Sequence, residues 1–163
     1  AEMDGKAEIL EFLTLNTSGL QDEDGAFSDW IELTNTGTGG LCLNDHYLSN
    51  DLAHLRLWQI PSSTVVEPGN TMLVFASSKD RAVNAAELHT NFTLLDSGGD
   101  LALVGPDGLT ILDSFSPYSS QHADISYGKV GGTSQPLVPC GTPVKVQHSC
   151  GWKSRDELDG SCF

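Results

Sequence analysis

The chain has 163 residues and a formal net charge of −14, from 22 acidic against 8 basic residues. That length suits one domain with a real core, and the charge repels nucleic-acid phosphate and anionic lipid, which argues against either as a partner. No apolar run is long enough to cross a bilayer, and no charged stretch followed by an apolar one opens the chain as a leader would.

Glu8–Leu15 holds the first strand, with Ile9, Leu10, Phe12 and Leu13 apolar. Asn16–Phe27 is a polar loop carrying the acidic turn Asp22-Glu23-Asp24-Gly25. The run from Ser28 to Asn35 contains the clearest strand. Along it Ile31 and Leu33 point one way, while Trp30, Glu32 and Thr34 point the other. Trp30 shares its side with Glu32, which is compatible with a place near solvent, although sandwich tryptophans usually fill the core. Thr34-Asn35-Thr36-Gly37 closes the strand with turn chemistry. Leu41-Cys42-Leu43 starts a third segment, and Tyr47-Leu48-Ser49 is a short strand. Leu55–Ile60 follows and is stopped by Pro61. Pro68-Gly69-Asn70 forms a turn in which Pro takes the second position and Gly supplies positive φ.

Thr71–Ala76 is apolar on both sides, which marks a strand covered on both faces or one whose outer face lies under a loop. Ser77–Leu88 is the best helical candidate, a long connection with one turn of helix at most. His89–Leu95 alternates, Gly98-Gly99-Asp100 turns, and Leu101–Val104 is a strand. The hairpin turn Pro106-Asp107-Gly108 leads back into Thr110–Phe115, and Asp124–Tyr127 is the last short strand. Short β-rich runs between Gly, Pro, Asn, Asp and Ser clusters predict an all-β sandwich or barrel. Its core is expected from Ile31, Leu33, Leu73, Phe75, Phe92, Leu101, Leu103 and Phe115. After Gly128 the composition shifts, so the domain is taken as residues 1–129, with a linker or C-terminal extension over 130–163.

Several pieces together resemble the lamin-tail domain in its bacterial form. They are Ile9 to Leu13 with Asn16; the acidic turn followed by Ser28 to Leu33 and Asn35; and Tyr47-Leu48-Ser49 followed by Trp58-Gln59-Ile60-Pro61. Further on come Pro68-Gly69 leading to Leu73-Val74-Phe75-Ala76-Ser77 with Lys79-Asp80-Arg81, then Leu88 to Phe92, Gly98-Gly99 to Leu103, and Gln121 to Gly128. The resemblance spans roughly residues 7 to 129. It implies an immunoglobulin-like β-sandwich with long loops, followed here by a Cys-containing extension. It also implies a non-enzymatic interaction module, of the kind carried by large exported or surface-attached bacterial proteins. Trp30 and Trp58 fall in matching segments and are read as packing residues.

Candidate chemistry is sparse. Five dispersed histidines, His46, His54, His89, His122 and His148, fall in no hydrolase, phosphate-loop or zinc-peptidase pattern, so no catalytic residue is assigned. His89 and Asp29 are read as partners that hold loops. Asp22, Asp24 and Asp29 supply hard oxygen ligands suited to calcium, although the loop is shorter than an EF-hand and also fits a simple Asx turn. Trp152 and Tyr118 are candidates for stacking on a sugar, and a polysaccharide competes with a protein as the partner. The even set of cysteines favours disulfides, Cys140 with Cys150 and Cys42 with Cys162, over zinc held by Cys140, His148, Cys150 and Cys162. Disulfides imply an oxidising compartment, and secretion or the cell surface is expected. Asn16-Thr17-Ser18 and Asn91-Phe92-Thr93 fit the glycosylation sequon, a short pattern that often arises by chance.

Overall fold

Alternating side chains make Ala7–Leu13 (β1) and Asp29–Asn35 (β2) strands with two unlike faces, and the two pair antiparallel. The computed structural model describes residues 4–62, 64–82, 86–130, 133–138 and 153–154. Leu41–Cys42 (β3), Tyr47–Ser49 (β4), Trp58–Gln59 (β5), Val65–Val66 (β6) and Thr71–Ala76 (β7) come next. Leu88–His89 (β8), Gly99–Val104 (β9), Ile111–Tyr118 (β10), Tyr127–Val130 (β11), Thr133–Val138 (β12) and Lys153–Ser154 (β13) complete the order. One sheet runs β13-β12-β11-β1-β2-β7-β8, a second runs β10-β9-β4-β5, and β3 pairs with β6. Only β7 and β8 are parallel among the described pairs.

The core lies between the two larger sheets. Ile9, Phe12, Ile31, Leu33 and Val74 from one meet Leu48, Trp58, Leu101, Leu103 and Phe115 from the other. Burying each large side chain contributes roughly 1.5–3 kcal/mol. A register shift between Ile9 and Glu11 decides which β1 residues join this core. Period-two alternation puts Ile9 and Phe12 on opposite faces. One extra residue in the strand turns both inward, opposite Leu33 and Ile31. Phe12 then packs on Phe115 at 5.0 Å and on Tyr118 at 4.9 Å between ring centroids.

The two-layer all-β architecture is as expected from the sequence. β4 and β7 have the expected bounds, and the Pro68-Gly69 turn closes with Asn70 N–H on the Glu67 carbonyl and Gly69 at φ 75. Trp30 packs, as the resemblance implies: it is 2% exposed, because Leu13, Leu20 and Phe75 enclose it on the outer face of the large sheet. For the same reason Phe75 and Leu73 belong to this outer cluster rather than to the inter-sheet core. The described part of Ser77–Leu88 is not helical. Ser78 and Asp80 hold positive φ, and the N–H groups of Ser78, Asp80 and Arg81 donate across to Phe92, Thr90 and His89 carbonyls. Those tertiary bonds replace the local ladder that a helix needs.

The expected strand over His89–Leu95 stops after His89, where Thr90 Oγ1 donates to the Phe92 carbonyl and turns the chain. The expected boundary at residue 129 falls inside β11, whose pairing with β12 carries the sheet into the extension. Cys42 lies half-buried on β3, with no disulfide partner among the described residues. Its expected partner Cys162 lies outside the described residues, as do Cys140, Cys150 and Trp152.

Candidate functional site

The loop between β1 and β2 folds back over the outer face of the large sheet, and its polar residues explain how. Asn16, 6% exposed, donates from Nδ2 to the Leu20 and Ser28 carbonyls at 2.6 and 2.9 Å and accepts from Gly19 N–H. Its burial leaves the first sequon without an accessible amide. Asp22 organises the acidic turn. Its carboxylate accepts from Asp24 and Ala26 N–H and from Ser28 Oγ at 2.6 Å, and Gly25 takes the positive φ. This is the Asx-turn geometry expected of such a sequence.

Lys79 and Arg81, on the segment after β7, reach into the turn from the other side. Lys79 Nζ stands 2.6 Å from Asp22 and 2.7 Å from Asp24. Arg81 reaches Glu23 at 2.7 Å and Asp24 at 2.9 Å. The Asp22 side chain is 0% exposed, whereas Lys79 keeps 22%. Burial alone would push the Asp22 carboxyl up. The hydrogen bonds from Lys79, Ser28 and the Ala26 and Asp24 backbone outweigh it and hold the group well below the ordinary carboxylate range. Lys79 shows the mirror image: burial lowers its pKa, and the bonds to Asp22 and Asp24 raise it further than that. Sequence reasoning assigned no role to Lys79 and Arg81. No local pattern could have done so, because the left-handed turns at Ser78 and Asp80 that aim them are set by bonds to distant carbonyls.

His89 borders this network. Its ring stacks on Phe75 at 5.3 Å, Nδ1 lies 2.8 Å from Ser77 Oγ, and Nε2 lies 3.7 Å from the Glu23 carboxylate. Burial, then the Lys79 cation, pushes its pKa down, so at neutral pH the imidazole is uncharged. Asp29 sits elsewhere, at the start of β2, half-buried beside the backbone of Leu94 and Asn16. The expected His89–Asp29 pairing is thus replaced by separate partners for each. Asp29 also stands apart from the Asp22 and Asp24 carboxylates that Lys79 joins. Among the described residues no group of three His, Cys, Asp or Glu is placed to hold a metal ion. Tyr118, read from the sequence as a sugar-stacking surface residue, is instead 4% exposed in the inter-sheet core. Its ring lies against Phe12, and its hydroxyl accepts from Leu95 N–H.

Burial pushes the Asp29 carboxyl up to about 7. A carboxyl whose folded pKa exceeds its unfolded value contributes stability that is complete below about pH 4 and is lost as pH rises through 7. Asp29→Asn removes that dependence. The variant's urea midpoint is expected to gain on the parent's steadily between about pH 4 and 7, and a constant difference over that range would contradict the assignment.

Beside this network the outer face ends in a groove of about 500 Å³, lined by Val65, Glu67, Leu73, Phe75, Glu87 and Leu88 among others. Glu87 Oε2 accepts the Glu23 N–H at 2.6 Å, which joins the groove's wall to the acidic turn. Fold and site together define a class of protein: an immunoglobulin-like β-sandwich whose clustered charges hold its own loops in place. Residues 10–119 match the Lamin Tail Domain, and the chain belongs to that family. No curated protein and no solved structure matches it.

Proposed function

We propose that the chain is a non-catalytic interaction module of a secreted or cell-surface bacterial multidomain protein, binding a protein partner without a cofactor. The observation that carries this is the internal use of its titratable groups. Asp22, Glu23 and Asp24 meet Lys79 and Arg81, and His89 is enclosed against Phe75, so the clustered chemistry stabilises loops. Membership of a family of immunoglobulin-like interaction domains agrees. Lys79 Nζ occupies the position that a calcium ion would take between Asp22 and Asp24. A polysaccharide is the weaker alternative, because Trp30, Trp58 and Tyr118 are buried.

Labelled chain applied to the surface of the cells that make it tests the proposal. Saturable binding that protease treatment of the surface abolishes and glycosidase treatment spares is expected. Loss on glycosidase treatment alone would install the polysaccharide, and absence of binding would remove the module reading. The unfolding midpoint is expected to be the same in excess calcium and in chelator, and a rise with calcium would restore the metal site.

A further inference from the structure

We infer that the groove beside β7 accepts an extended, cationic peptide segment as an added β-strand, naming the chemistry of the partner on which the proposed interaction role rests. The first observation is the sheet edge. All six residues of β7 pair with β2, but among the described residues only Val74 and Phe75 pair with β8 on the other side. The Asn35 N–H bond to the Asn70 carbonyl sets the alternation of the β2–β7 ladder. It directs the Thr71 backbone and the Leu73 N–H away from β2, toward the groove. A short row of main-chain groups thus borders an apolar trough, and a strand adding there gains ladder bonds from the backbone and specificity from side-chain pockets.

The second observation is charge. Val65, 53% exposed, joins Leu73, Phe75 and Leu88 as the apolar lining, and the charged lining residues are both carboxylates, Glu67 and Glu87. Glu32 stands opposite Leu73 on the neighbouring strand, on the same outer face. Among the described residues no Lys, Arg or His lines the groove. An extended segment alternating small apolar residues with Lys or Arg places its apolar side in the trough and its cations beside Glu67 at the groove's rim. A second copy of this chain, at −14, would set carboxylates against carboxylates.

The test is a nitrogen–proton NMR titration of the whole chain with a short peptide in which Lys alternates with Val. Saturable shifts centred on Thr71, Leu73 and Leu88 are expected, with hydrogen exchange at the Leu73 amide slowed in the complex. A peptide with Glu in place of Lys is expected to leave the spectrum unchanged, and Glu67→Lys, at an exposed position, to weaken binding about fivefold. Leu73→Pro removes the outward N–H, and its spectrum without peptide reports whether the fold survives; Glu67→Lys stands as the test if it does not. Shifts elsewhere, equal binding of both peptides, no binding, or a dimer that Glu67→Lys dissociates would each overturn the inference. If the Glu67→Lys chain still binds its cell surface through protein at full strength, the groove is refuted while the interaction role stands.

Discussion

Lys79→Met is expected to lower the unfolding free energy by about 3–5 kcal/mol at neutral pH, more than its partial exposure suggests. The cost arises at Asp22, whose side chain is 0% exposed. With Lys79 gone, a buried carboxylate keeps its desolvation and loses its cation, retaining only Ser28 and the Ala26 and Asp24 N–H groups. The second ion pair, to Asp24, lies nearer solvent and adds little.

The pH dependence identifies the cause. Asp22 has a folded pKa below its unfolded one, so its contribution in the parent is present above about pH 4 and is lost as pH falls toward the folded value. The variant's deficit is therefore expected to shrink in acid, where Asp22 takes a proton in both proteins. Combining Lys79→Met with Asp22→Asn is expected to cost less than Lys79→Met alone, since no uncompensated charge remains. Urea titrations at neutral and acid pH read both effects. A deficit independent of pH, or additive in the double variant, would refute the buried-pair account.

Phe12→Ala is expected to cost about 3–5 kcal/mol and to lower the melting temperature by about 10–20 °C. Phe12 is fully buried and touches aromatic rings from three directions: Phe115, Tyr118 and Tyr127, the last at 5.8 Å between centroids. Each such pair contributes about 0.5–1.5 kcal/mol beyond burial. Its removal opens a cavity between sheets whose backbones are pinned by their ladders and cannot collapse into it. Phe12→Leu, which keeps most of the volume, is expected to cost less than half as much. Since domains of this kind hold about 5–15 kcal/mol in total, Phe12→Ala is expected to bring unfolding close to working temperature. A calorimetric scan showing a shift of only a few degrees would mean that the inter-sheet core repacks freely.

Much of the architecture was legible because it depends on local pattern. Period-two alternation located β2, and the doubly apolar run Thr71–Ala76 located β7 to the residue. Pro68-Gly69 and Pro106-Asp107-Gly108 marked their turns because only certain residues take those backbone angles cheaply, and Gly69 and Gly108 hold φ of 75 and 68. The acidic Gly turn fitted an Asx turn as well as a calcium loop, and Asp22 makes the Asx turn. β6, two residues long, lay below what any pattern resolves.

The site was legible only in part. Asp22 and Asp24 were noticed as a charge cluster, but the residues that answer them, Lys79 and Arg81, lie 57 positions on for the Lys79–Asp22 bond. Tyr118 looked like a free aromatic because nothing in its neighbours in sequence says that Phe12 will pack against it. Phe12 in turn faces inward only through the bulge after Ile9, which inverts the alternation on which the sequence reading relied.

Composition and alternation were thus sufficient to establish an all-β protein, and the family resemblance chose the sandwich over the barrel, because secondary structure and the sign of the surface charge follow from residues within a few positions of each other. Which face each aromatic occupies, which cation meets Asp22, and which stretch of β7 pairs with β8 were decided by contacts between distant segments. Those depend on strand order, register and one inserted residue, and no local window of sequence records them.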